Sequence, residues 1–201
     1  MKNKKSKMTA EEPLSVAHLT RLAEQGVPEA QRILGAKYEK GDGVPKDSAE
    51  AMKWTRKAAE QGDAGAQFFL SAMLMHDFGR NVPRSPAEAA EGQRRAATEA
   101  AKWHRLAAEQ GHTDAQFNLG LLLHAGYGGD KDLVEALAWM TVAAILLVGS
   151  GKEKEITRVD AHIGRYETEM SPEQVARAKT LADEQIRKLI ARMGKAVCQP
   201  T

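Results

Sequence analysis

The 201 residues carry 29 lysines and arginines against 27 aspartates and glutamates, and a net charge of +2 offers no overall field for nucleic acid. Hydrophobic residues make up 42% and charged residues 28%, an ordinary balance for a soluble globular chain. The longest apolar run, Ala136 to Val148, is interrupted by Thr141 and falls short of the roughly 18 residues a membrane span needs. The single cysteine, Cys198, excludes an intrachain disulfide and fits a reducing compartment.

Four lysines, Lys2, Lys4, Lys5 and Lys7, open the chain, and residues 1–12 are expected to form a disordered basic tail. The tail is like the charged start of a signal peptide, but Thr9-Ala10-Glu11-Glu12-Pro13 follows in place of an apolar segment, so the expected location is cytoplasmic. Residues 13–25 read as one capping helix. A repeat then begins. The string Ala-Glu-Gln-Gly ends at Gly26, Gly62 and Gly111, and a glutamine stands five residues after each glycine: Gln31, Gln67 and Gln116. Leucine follows three residues later at Leu34, Leu70 and Leu119, then a small residue, Gly35, Ser71 or Gly120. Glu-Ala pairs at Glu50, Glu99 and Glu135 each precede a tryptophan: Trp54, Trp103 and Trp139. Such agreement at fixed spacing marks an array of helix–turn–helix units, each burying its apolar face against the next. The repeats are set at residues 26–61, 62–110 and 111–149.

Each unit reads as helix A, a glycine-bearing loop and helix B. Pro28 opens the first A helix; Asp63 caps the second, and Thr113 or Asp114 the third. Asp47 with Glu50, and Ser85 with Glu88, start B helices as capping boxes. Gly26 to Gly62 spans 36 residues and Gly62 to Gly111 spans 49. Two of the extra residues precede Val82-Pro83, and 11 fall inside helix B, where Ala87-Glu88-Ala89 matches Thr98-Glu99-Ala100. Eleven residues are close to three turns, so the insertion lengthens the helix by roughly 16 Å without rotating its face. One helix from about Pro86 to Gln110 is predicted, with Ala89, Gly92, Ala96, Ala100, Trp103 and Ala107 inward. A break at Gly92 is the alternative. Beyond Gly151, Ile156, Val159, Ile163, Tyr166 and Met170 recur at helical spacing, and Ser171-Pro172-Glu173-Gln174 starts another helix. This pair, residues 152–193, is expected to cap the array, leaving 194–201 as a flexible tail. The whole of 13–193 is thus read as one domain.

These residues closely resemble the Sel-like repeat (SLR) family, a branch of the tetratricopeptide-like solenoids. Ala30-Gln31, Leu34-Gly35, Tyr38, Trp54 and Lys57-Ala58-Ala59-Glu60-Gln61-Gly62 carry the likeness, which covers roughly residues 15 to 148. Leu74 and Leu123 stand where the pattern has tyrosine, and Ser71 where it has glycine. The resemblance implies an all-α, right-handed α-solenoid of bacterial type with terminal capping helices and a concave face lined by A helices. It also implies a scaffold or adaptor role, binding another protein or peptide without catalysis or cofactor. Secreted, cysteine-rich relatives linked to β-lactam chemistry carry paired cysteines, which this chain lacks, so that activity is not carried over.

Helix A positions outside the repeat pattern are the candidate binding residues: Arg32, Glu39, Lys40, Phe68, Met75, His76, Phe117, Leu121 and His124. Repeat one offers charge; repeats two and three offer an aromatic and aliphatic strip of the kind that marks binding surfaces. Phe68 and Phe117 remain open between groove and core, because a helix apolar nearly all round is usually buried. None of the six histidines forms a metal-binding spacing, and no phosphate loop or nucleophile elbow occurs. Two further readings stay open. One is a metal-dependent or hydrolytic enzyme in which His76 and His124 converge with a carboxylate such as Asp77. The other is contact of the basic tail with an acidic surface. Self-association through the long helix 86–110 is an additional open route to a partner.

Overall fold

A computed structural model describes residues 15–80, 85–127 and 129–197. The basic tail, Val82-Pro83 and Cys198 lie outside the described residues. Among the described residues there are helices and no strands. In chain order they are α1 (Val16–Glu24), α2 (Pro28–Lys40), α3 (Ser48–Glu60), α4 (Ala64–Arg80), α5 (Pro86–Ala108), α6 (Thr113–His124), α7 (Leu133–Leu147), α8 (Glu153–Thr168) and α9 (Pro172–Val197). The fold is an all-α repeat. The chain divides within α3 into two compact units, residues 1–58 and 59–201.

The recurring residues have specific physical work. Gly26, Gly62 and Gly111 have φ of 90°, 92° and 91°, a left-handed turn that ends each preceding helix and that a side chain would strain. Five residues on, each glutamine turns its side chain back to that helix end. Gln31 Nε2 donates to the Ala23 carbonyl (2.9 Å), Gln67 to Ala59 (3.1 Å) and Gln116 to Ala108 (3.1 Å). Each of these carbonyls also accepts from the amide of the turn glycine, Gly26, Gly62 or Gly111, so the glutamine adds a second hydrogen bond at the helix end inside the core.

Asp47 accepts from the Glu50 amide, Asp63 from Ala66 and Ser85 from Glu88. Ser171 and Gln174 close a reciprocal box, the Ser171 amide donating to Gln174 Oε1 and the Gln174 amide to Ser171 Oγ. The third A helix differs from expectation. Its cap is His112, whose ring accepts from the Ala115 amide at 3.3 Å, so Thr113 and Asp114 fall inside the first turn.

In the first unit, Leu19, Ala23, Ala30, Leu34 and Trp54 form the core, with Val16, Leu22, Ile33 and Tyr38 packed on it. In the second, residues from α5 to α9 share one cluster that includes Leu119, Met140, Val142, Val159, Tyr166 and Leu189. Helix α5 runs unbroken through Gly92. Its buried residues are Ala97, Ala100, Ala101, His104, Ala107 and Ala108. Ala100 and Ala107 were expected; Trp103 is only half-buried, and His104 is inside instead. The shift arises because α5 packs against both α4 and α6, which broadens its buried face beyond a single stripe.

Candidate functional site

Helices α4 and α6 are successive A helices, and each presents three residues at i, i+3 and i+4: Ala72, Met75 and His76 from α4; Asn118, Leu121 and Leu122 from α6. Together they line an open cavity of about 470 Å³, with His104 of α5 also in its wall. The spacing places each trio on one helix face. Ala72, Met75, Leu121 and Leu122 supply apolar walls. The His76 imidazole and the Asn118 carboxamide have no side-chain hydrogen-bond partner among the described residues. A carboxamide offers one acceptor and two N–H donors, enough to hold a peptide group.

His104 is 4% exposed, and burial pushes its pKa down to about 4, with His112 adding to the effect. Both ring nitrogens lie within 3.2 Å of Ser71 Oγ, and that hydroxyl donates to the Phe68 carbonyl at 2.6 Å. Which partner donates in the Ser71–His104 contact depends on the tautomer of the ring. Repeat position explains the pairing. Where Gly35 faces Thr55 and Gly120 faces Met140, repeat two has serine facing histidine.

Of the nine sequence-derived candidates, the cavity brings together Met75, His76 and Leu121. Phe68 is half-buried, stacked on His112 with ring centres 4.5 Å apart and tilted against His104 at 5.6 Å. Phe117 is core. It is 5% exposed, with the Arg158 guanidinium 4.2 Å above its ring and His162 edge-on at 5.4 Å, so α8 covers it. His124 is likewise taken up by α8. It stacks on Tyr166 at 4.2 Å, and its Nε2 lies 3.0 Å from a Glu169 oxygen. Lys131 also bonds Glu169, and these two contacts hold the Glu169 carboxyl at a pKa of about 2.

Arg32, Glu39 and Lys40 belong to the other unit; Arg32 pairs with Glu29 and Glu39 with Lys46. The Asp77 side chain lies outside the described residues. No group of three or more metal-binding side chains occurs among the described residues. No described helix is long and apolar enough to cross a membrane. Asn118, Leu122 and His104 were missed in the sequence. The one available signal was the joint change to Ser71 and His104 at two positions that face each other in the other repeats.

Comparison with known proteins agrees with the helix pattern. A family model for the Sel1 repeat matches residues 28–63, 64–91, 91–112 and 113–146. The long second unit is thus matched in two pieces that meet within α5. The crystal structure of a Sel1 repeat protein from Oxalobacter formigenes is 32% identical over 73% of this chain and 97% of that one, with a TM-score of 0.56. A second relative is c5321, a protective antigen of uropathogenic Escherichia coli strains displaying an SLR fold. It is 29% identical over 96% of this chain but 46% of its own, with a TM-score of 0.46. No curated protein matches significantly. The chain therefore belongs to the Sel1 repeat family.

Proposed function

We propose that this protein is a non-catalytic binding scaffold that takes a peptide segment of a partner protein in the cavity between α4 and α6. The observation that carries this reading is the combination in one open cavity of four apolar wall residues with two polar side chains, Asn118 and His76, that have no side-chain partner among the described residues. An apolar partner side chain fills the space between Met75 and Leu121, and its flanking peptide group bonds Asn118. The reading accords with Sel1 repeats as protein-interaction units and with the cytoplasmic location expected from the sequence. Its test is selection of displayed random peptides on the wild-type protein, followed by affinity measurement on Met75→Asp, whose fold is checked by circular dichroism. Selected peptides with one large apolar residue, bound at least about tenfold more weakly by the variant, support it. Equal binding by the folded variant rejects the site.

A further inference from the structure

Helix α6 serves two neighbours. Leu121 lines the α4–α6 cavity and is partly exposed. Phe117 and His124, one turn before it and one turn after, turn instead to α8, where Phe117 meets Arg158 and His162 and His124 meets Tyr166 and Glu169. Leu121 is therefore the ridge of α6 between the cavity and the α8 side chains. All of these residues belong to the second unit.

The charges beyond that ridge do not balance. Arg158, His162, Arg165 and Glu169 recur at helical spacing and share one edge of α8. Glu169 already answers three side chains: His124 at 3.0 Å, Lys131 at 3.1 Å and Arg165 at 3.4 Å. Arg158 is exposed and pairs with no carboxylate among the described residues; Glu155, one turn before it, makes no ion pair with it. Three permanent cations and two histidines thus share one carboxylate. His162 registers the resulting field. Burial lowers its pKa first, and the charges of Arg165, Arg158 and His124 push it down further.

We propose that the peptide held by the α4–α6 cavity is acidic on one side of its apolar residue, with a carboxylate passing over Leu121 to Arg158 and Arg165. This inference rests on the cavity reading and adds the chemistry of the partner. Packed helices lie about 8–10 Å apart, and an extended chain advances about 3.3 Å per residue. An aspartate or glutamate about three positions from the apolar residue therefore reaches α8. Its charge offsets the surplus on that edge, and a guanidinium presents paired N–H donors to a carboxylate. A lysine or arginine at the same place meets repulsion. Complementarity of this kind selects the partner more than it tightens binding.

The test reads the charge of displayed random peptides selected on the wild-type protein. Those with a large apolar residue should carry aspartate or glutamate about three positions away, always on the same side of it. Selection on Arg158→Gln, with its fold checked by circular dichroism, should lose that bias. For one selected peptide, replacing the acid by its amide should weaken binding to wild type about threefold to fivefold, the scale of an exposed ion pair, and should change nothing for Arg158→Gln. The difference on wild type should narrow at about 0.5 M NaCl. The acid–amide comparison on wild type decides the matter even where the variant does not fold. Apolar peptides without the acidic bias, or acid and amide forms bound equally by wild type, would overturn this inference and leave the cavity reading standing. Acidic peptides that lack an apolar residue and bind folded Met75→Asp as well as wild type would overturn both.

Discussion

Gly35 of α2 lies against Ala51 and Thr55 of α3. A Cβ there would meet Thr55 Oγ1 at 2.5 Å, the Ala51 carbonyl at 3.0 Å and the Thr55 amide at 3.2 Å. The hydroxyl can rotate away, but the backbone atoms cannot. Gly35→Ala should therefore cost about 1–3 kcal/mol in urea unfolding, and Thr55→Ala should restore only part of it. At the equivalent place in repeat two, Ser71 is tolerated because its hydroxyl bonds the Phe68 carbonyl and His104. That arrangement has a cost in acid. The His104 pKa is lowered from 6.5 to about 4 by burial, so the unfolded chain takes up its proton first as pH falls. Stability from the neutral ring is complete above pH 6.5 and is lost as pH drops towards 4, on the order of 3 kcal/mol in all. His104→Met should flatten the stability profile across that window; an unchanged slope would show that the ring is not buried neutral. Glu169, held near 2 by Lys131 and His124, acts at lower pH. Its contribution is present above about pH 4.5 and lost between there and 2, so Glu169→Gln should remove the dependence in that range only.

At the scale of the element, α5 shows how an insertion is accommodated. Ser85 caps the helix through the Glu88 amide. Removal of residues 88–98 places Glu99 three positions after Ser85 and recreates Ser-Pro-Ala-Glu. This shortened protein should keep a cooperative thermal transition in circular dichroism. Removal of residues 88–96 instead puts Ala97 at that position, turns the entry into the helix by about half a turn, and should cost a further 0.5–2 kcal/mol or so. A non-cooperative melt of the 88–98 deletion would mean that the extra turns are part of the core. The period of the insertion was readable from the string Ala-Glu-Ala and its copies. The inward face was only half readable, because flanking by α4 and α6 decides which neighbours of Ala100 and Ala107 are covered.

At the scale of the molecule, the repeats were legible because each residue at fixed spacing meets a local need: glycine for a left-handed turn, and glutamine for a second hydrogen bond to the carbonyl at the preceding helix end. The candidate binding residues were less so. Phe68 and Phe117 occupy the same repeat position as the charged Arg32, and nothing in the repeat says what lies against them. The answer for Phe117 comes from α8, outside the repeats, through Arg158 and His162. Asn118 was passed over because a lone carboxamide carries no sequence signature, and its meaning comes only from its place beside Leu121 and opposite Met75. Truncation after Gly151 should accordingly expose Phe117 and the surface that Val159, Tyr166 and Leu189 bury, and yield a second unit that binds a hydrophobic dye and melts without a sharp transition.

The most direct measurement of the binding-scaffold account is a methyl-resonance titration of the full chain with a peptide selected on it. The account predicts saturable shifts of the Met75, Leu121 and Leu122 methyl signals, with Leu34 in the other unit stationary. Saturable binding that leaves those three signals unmoved would contradict it.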